Sequence, residues 1–276
     1  MYLVSALGLL LSGEIFLVNA DTGNTVLTSV PSSILPASDV VGADIPLDVL
    51  LRDIDYLVLG ACSDFSVIEA LGRQIGRYLK SLGVDFWVFG SFKVIADEKT
   101  VPFDRISKSP YLTAHTIASL SRGLQIAGVV PVFDFRKGYD IDVIQALISR
   151  RAIYPFVVND TDVAKSIKEQ GFFRPYFVDM GNIWLLSEGN ASYLEYSWED
   201  LAPFDLEGIR REILRKSIVL LKPETFEGKG KIFIRELPER IPSDGAVVIF
   251  AGDPWLVELA KAVLKRKEPA TGRKNW

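Results

Sequence analysis

Two aspartates each follow a short apolar run: Asp21 comes after Ile15-Phe16-Leu17-Val18-Asn19-Ala20, and Asp179 after Tyr176-Phe177-Val178. Runs of this kind, closed by Thr22-Gly23-Asn24 and Met180-Gly181-Asn182, read as buried strands. A carboxylate at the C-terminal end of a parallel strand points into the mouth of an α/β barrel, where such barrels do their chemistry. It can serve there as nucleophile, as proton donor or acceptor, or as acceptor for ligand hydroxyls. Each residue also has a plain structural reading. Asp179 would cap backbone N–H groups at a strand end, and Asp21 would close an Asx-turn ahead of Gly23.

The elements that must position these groups alternate along the chain. Ile15–Asn19, Val84–Phe89, Val129–Phe133, Ala152–Val158 and Tyr176–Val178 read as strands, and Asp55–Leu59 as a shorter one. Pro155 argues that its strand is an edge or carries a bulge. Between them lie helical patterns. Ser66–Leu82 carries Val67, Leu71, Ile75 and Leu79 at helical spacing and ends at Gly83. Pro110 opens another helix, and Ile141–Ser149 and Asp160–Gln170 follow. Ser33–Val41 reads as a Pro- and Ser-rich loop, and residues after Asp179 as a loop rich in Tyr and Trp. A helix over Leu206–Ser217, a Gly228-Lys229-Gly230 turn, strands at Lys231–Arg235 and Ala246–Phe250 and a helix over Pro254–Lys265 complete the pattern. The tail from Glu268 reads as disordered.

This alternation implies an α/β fold, a TIM-type (β/α) barrel that is trimmed or irregular, over residues 1–216. A small α/β C-terminal extension would occupy residues 217–276. Composition agrees with an ordinary globular protein: 276 residues, 49% hydrophobic, 24% charged. A net charge of -4 carries no polyelectrolyte signature, so nucleic acid is not an expected partner. One cysteine, Cys62, excludes an intramolecular disulfide, and one histidine, His115, leaves no His-based metal site. No cofactor or metal is expected. The apolar stretch Tyr2–Leu11 is too short to span a bilayer and is broken by Glu14, so it reads as a buried element rather than an export signal. Cytoplasm is the default location, no membrane partner is expected, and a homo-oligomer is left open. No Gly-rich phosphate loop follows any strand, which disfavours a nucleotide-binding module.

Several stretches, in order, resemble glycoside hydrolase family 3. Asp21-Thr22-Gly23 resembles the family's sugar-contact aspartate followed by glycine. Leu82-Gly83-Val84-Asp85-Phe86 is similar to its helix-to-strand passage, and Arg105-Ile106-Ser107 with Ser109-Pro110 to its substrate-contacting arginine segment. Gly123-Leu124-Gln125 and Gly128-Val129-Val130 follow. Lys168-Glu169-Gln170-Gly171-Phe172 through Val178-Asp179 resembles the segment that carries the nucleophile. Ser217-Ile218-Val219-Leu220-Leu221-Lys222 looks like the family's passage into its second domain. The resemblance implies retaining hydrolysis of β-glucosides or β-N-acetylglucosaminides, with Asp179 as catalytic nucleophile and Asp21 and Arg105 holding the substrate. The implied partner is a carbohydrate or small-molecule glycoside.

The chain departs from the family where it would hold sugar hydroxyls. The family's Lys-His-Phe-Pro-Gly-His is replaced by Asp134-Phe135-Arg136-Lys137-Gly138-Tyr139, keeping only the glycine. No loop bearing an Asp–His acid/base pair follows. His115 lies on another helix and reads as a surface or partly packed residue. Asp134, Asp140, Asp142 and Glu188 are candidate proton donors that nothing singles out. Trp184, Tyr193, Tyr196 and Trp198 suit either stacking on a sugar ring or ordinary packing. The alternative reading is therefore a non-catalytic relative that binds a carbohydrate or a protein partner.

Overall fold

The computed structural model describes residues 14–18, 26–30, 40–96, 101–179, 183–186, 202–221, 230–238, 242 and 244–274. Eight strands close a barrel: β1 (Glu14–Val18), β2 (Val26–Val30), β3 (Val40–Asp44), β4 (Phe86–Phe89), β5 (Val130–Asp134), β6 (Phe156–Val158), β7 (Tyr176–Asp179) and β8 (Ile183–Leu186). Their order around the wall is β1-β2-β8-β7-β6-β5-β4-β3. From β3 to β7 all neighbours run parallel, whereas β1, β2 and β8 pair antiparallel with their neighbours. The barrel is therefore irregular: five parallel strands form one side, and an antiparallel ribbon completes the wall.

Helices cover the parallel side, as parallel strands require. They are α1 (Leu47–Leu50), α2 (Tyr56–Cys62), α3 (Phe65–Ser81), α4 (Pro110–Ile126), α5 (Ile141–Ser149) and α6 (Thr161–Glu169). Each of the longer ones starts where its sequence says it should. Asp64 accepts from the Val67 N–H, Ser109 from Leu112 with Pro110 next in line, and Asp160 from Asp162. A further helix, α7 (Leu206–Lys216), packs on α2 and α3. Beyond it, β9 (Val219–Leu221), β10 (Lys231–Ile234) and β11 (Ala246–Ile249) form a separate three-stranded sheet, order β10-β11-β9, backed by α8 (Pro254–Leu264).

Alternation along the strands sorts side chains into two populations. Phe86 on β4 and Phe177 on β7 come from strands that are not neighbours, yet their rings stack with centroids 6.1 Å apart. They can meet only inside the barrel. Gly42 pairs in register with Phe86, and a Cβ on it would run into the Phe86 ring. Residues two further along share that face, which sends Asp44, Gly90, Asp134, Asn159 and Asp179 to the C-terminal mouth. The opposite parity, including Trp87, Phe89, Phe133 and Phe156, packs outward under the helices.

Four expectations are corrected. Asp55–Leu59 is not a strand: Asp55 accepts from the Val58 N–H at 3.0 Å and caps helix α2. Pro155 marks neither an edge nor a bulge, because β6 lies between β5 and β7, and the proline sits just ahead of it with its carbonyl accepting from the Phe133 N–H at 2.8 Å. The segment after Asp179 is not all loop, since β8 lies within it. The tail is held as far as the described residues reach: Gly272 N–H donates to Ile218 and Arg273 N–H to Ala61, both at 2.8 Å. Tyr2–Leu11, Gly228 and Lys229 lie outside the described residues.

Candidate functional site

The mouth is organised by one arginine. After β5 the chain turns at once, with the Gly138 N–H donating to the Phe135 carbonyl at 3.0 Å. Gly138 has φ +88, a conformation that suits glycine, and a Cβ there would strike the Lys93 side chain. The Arg136 backbone N–H donates to Asp134 Oδ1 at 3.0 Å, and Asn159 Nδ2 donates to the Arg136 carbonyl at 3.2 Å. The turn thus folds Arg136 back over the strand ends instead of releasing it to solvent.

Its guanidinium then meets three carboxylates. Nε donates to Asp134 Oδ1 at 2.8 Å and Nη2 to Asp134 Oδ2 at 3.0 Å, a two-pronged grip. Nη1 donates to Asp179 Oδ2 at 2.8 Å, and Nη2 also donates to Asp44. The side chains are 17% exposed for Arg136, 8% for Asp134, 15% for Asp179 and 21% for Asp44. Burial works against the arginine's charge, but hydrogen bonds and charge from Asp134, then Asp44 and Asp179, outweigh it. The guanidinium is held above even its ordinary value.

Beside this cluster lies a cavity of about 270 Å³, lined among others by Asp44, Asp55, Tyr56, Asp134, Lys137 and Arg235. Asp55 is nearly buried, and burial pushes its carboxyl up to about 6 against the opposing Val58 N–H and Arg235 charge. The Tyr56 hydroxyl accepts from the Gly90 N–H at 2.7 Å, and burial raises its phenol above the ordinary value. A smaller recess joins Tyr56, Ser91, Arg105, Asp134 and Gly138.

The sequence candidates fall as follows. Asp179 stands at the mouth in contact with Arg136. Arg105 stands at its edge, with Nη1 3.4 Å from Ser91 Oγ and 3.5 Å from Asp104, and shares the recess with Asp134. Asp21 lies outside the described residues, as do Glu188, Tyr193, Tyr196 and Trp198. Trp184 is on β8. Of the candidate proton donors, Asp134 is in the cluster. Asp140 is spent on the Val94 N–H at 2.6 Å, and Asp142 is exposed on α5. His115 is part-buried on α4, stacked on Phe65 with centroids 3.4 Å apart. Phe135 lies in the aromatic core against Phe92 at 4.4 Å and Phe156 at 5.5 Å.

Sequence reasoning missed Asp44 and the role of Arg136. Asp44 repeats the strand-end pattern of Asp179, as the close of Val40-Val41-Gly42-Ala43-Asp44. That strand was hidden by the Pro/Ser-rich stretch before it. Arg136 had a signal too: it is a cation two residues past Asp134, an aspartate that closes an apolar run as Asp179 does. Among the described residues no group of three or more His, Cys, Asp or Glu is set to hold a metal ion. None of the described helices is long and apolar enough to cross a membrane.

No protein-family model matches the chain, and no curated protein does. Among solved structures it is similar to β-glucosidase 3B from Thermotoga neapolitana. With the glucose complex the identity is 14% and the TM-score 0.49, covering 85% of this chain and 48% of that one. With the glycerol complex the values are 12%, 0.47, 90% and 50%. A GH3 family glycosyl hydrolase from Mycobacterium smegmatis is 18% identical, with a TM-score of 0.33 over 46% of this chain and 48% of that one. The chain spans about half the length of these structures. The likeness is one of fold alone and bears on neither family, activity nor ligand.

Proposed function

We propose that the mouth of this barrel binds a neutral, monosaccharide-sized polyol and does not cleave it. The observation that carries the reading is the grip of Arg136 on Asp179 and its two neighbours. A hydroxyl is donor and acceptor at once, so a surface that interleaves carboxylates (Asp44, Asp55, Asp134) with cations (Lys137, Arg235) suits vicinal hydroxyls. Ligand pockets usually range from about 300 to 1,000 Å³, which makes this cavity the size for one ring rather than an oligosaccharide. Cys62 is free and buried, which suits a reducing, cytoplasmic setting.

Retaining hydrolysis needs an available carboxylate nucleophile and an acid about 5–5.5 Å away. Here the lone pairs of Asp179 Oδ2 and of both Asp134 oxygens already accept from a guanidinium. A general acid contributes about 10²–10⁴-fold in rate, and the carboxylates of this cluster are committed to an arginine. The hydrolytic reading, with Asp179 as nucleophile and Asp21 and Arg105 holding the sugar, draws on one observation: Asp179 shares the strand parity that faces the mouth.

One experiment separates the two. Aryl β-glucosides and aryl β-N-acetylglucosaminides with a good leaving group largely remove the need for an acid. Wild type and Asp179→Ala are assayed for phenol release, and D-glucose and N-acetyl-D-glucosamine are titrated calorimetrically. Binding without release above the Asp179→Ala level is the expected result. Release by wild type alone overturns the binding-only reading in favour of hydrolysis. The absence of both binding and release ends the carbohydrate reading.

A further inference from the structure

One residue of the mouth cavity does not belong to the barrel. Arg235 follows β10 in the three-stranded sheet, and its side chain crosses to the barrel rim. Nη2 donates to Asp55 Oδ2 at 3.1 Å, Nη1 lies 3.4 Å from Asp53 Oδ1 and from the Phe250 carbonyl, and the guanidinium sits 5.3 Å above the Phe103 ring. Asp53 is itself held by Arg210 Nη2 at 2.9 Å, and Arg210 also reaches Asp253 at 2.8 Å, so the crossing is braced from both sides.

The backbone is arranged for this reach. Arg235 has φ +50 and Asp53 has φ +65, both in the left-handed region that side-chain-bearing residues seldom adopt. Two such residues facing each other across one ion pair mark a place where the surrounding structure holds an unfavourable conformation, and that pattern gathers at functional sites. Among the described residues the five N–H donors of the guanidinium meet three acceptors, its side chain is 38% exposed, and it lines the same cavity as Asp44, Tyr56 and Asp134.

We propose that Arg235 is a specificity-determining ligand contact, donating to one hydroxyl of the polyol in the barrel mouth. The C-terminal sheet thereby forms one wall of the site, and recognition spans both sheets. This rests on the mouth being a polyol site. It adds a residue from a different part of the fold and a particular hydroxyl to which that residue answers.

The test pairs Arg235→Gly with sugar analogues. Glycine accepts a φ of +50 without strain, so the substitution removes the guanidinium and leaves the backbone at ease. D-glucose and its monodeoxy derivatives are titrated against wild type, Arg235→Gly, Arg235→Lys and Arg211→Ala. The last alters an exposed arginine on α7 paired with Glu207. Thermal melts establish that each variant is folded. A hydrogen bond from a charged donor predicts a Kd for glucose about tenfold or more weaker in Arg235→Gly, a smaller loss in Arg235→Lys and none in Arg211→Ala. One monodeoxy sugar should bind wild type and Arg235→Gly equally, because both lack the same bond. If Arg235→Gly binds glucose as wild type does, or weakens every deoxy sugar to the same degree, Arg235 is not a ligand contact and the polyol reading stands without it. If wild type binds none of these sugars, both readings fall together. Should Arg235→Gly fail to fold, the same comparison is made with Arg235→Lys, whose charge remains but whose fork is gone.

Discussion

Arg136→Ala removes the cation that Asp44, Asp134 and Asp179 share. All four side chains are less than a quarter exposed, so solvent screens the cluster only in part. Taking one partner from a buried ion pair costs about 3–5 kcal/mol, because a charge is left uncompensated. The cluster sits at an open mouth where water can enter, so the lower end, about 3 kcal/mol, applies. At roughly 2–4 °C per kcal/mol for a chain near this size, the melting temperature should fall by about 6–12 °C at neutral pH. Scanning calorimetry measures this directly. Arg136→Lys should recover part of the loss, since it keeps the charge without the two-pronged grip on Asp134. Adding Asp134→Asn to Arg136→Ala should also recover about 1 kcal/mol or more by removing one of the stranded charges. A melt for Arg136→Ala within about 2 °C of wild type would refute the idea that this cluster holds the mouth together. A fall that neither companion variant relieves would assign the loss to packing rather than to charge.

Three further outcomes follow from single residues. Asp55 has its carboxyl raised from 3.8 to about 6, so the unfolded chain ionises it first and stability falls as pH rises between those values. Asp55→Asn should remove roughly 3 kcal/mol of that fall in urea titrations at pH 4 and pH 7, and identical slopes for the two proteins would count against it. His115 has its imidazole lowered by burial and by the charges of Arg150 and Arg122; the neutral form is favoured on folding, so stability drops as pH falls below the ordinary histidine range. As the chain's single histidine it gives one resolvable proton NMR titration, which should lie below about 6.5. Gly42→Ala places a methyl against the Phe86 ring inside the barrel and should cost about 1–3 kcal/mol by overpacking, with a denaturation midpoint unchanged from wild type as the contrary result.

Much of the fold was legible before any coordinates. The α3, α4, α5 and α6 boundaries were readable from caps and spacing because those signals act within a few residues: Ser109 and Pro110 start α4, and Asp160 starts α6. The parallel strands β4 to β7 were readable because burial on both faces demands continuous apolar runs. Unread were β2, β3 and β8, which lie in or beside the irregular part of the wall, and β9 in the C-terminal sheet. Partners elsewhere in the chain, not local pattern, make them strands: β2 and β8 pair antiparallel with each other, β3 pairs antiparallel with β1 and parallel with β4, and β9 pairs antiparallel with β11.

The candidate site divides in the same way. Asp179 could be singled out because an aspartate ending an apolar run is visible in a few consecutive letters, and Asp44 carried the same mark. That Asp44, Asp134 and Asp179 converge on Arg136 depends on which strands are neighbours and which face each residue takes. Those are matters of barrel closure and register, which join positions 92 and 43 residues apart. Arg235 is further still from local inference: its neighbours Asp53 and Asp55 are 182 and 180 residues away and belong to another sheet's surroundings. The amino-acid order determined which groups can carry charge and where each strand ends. Only the closed tertiary structure decided which charges face one another, because Coulomb and hydrogen-bond energies depend on distance in space and not on separation along the chain.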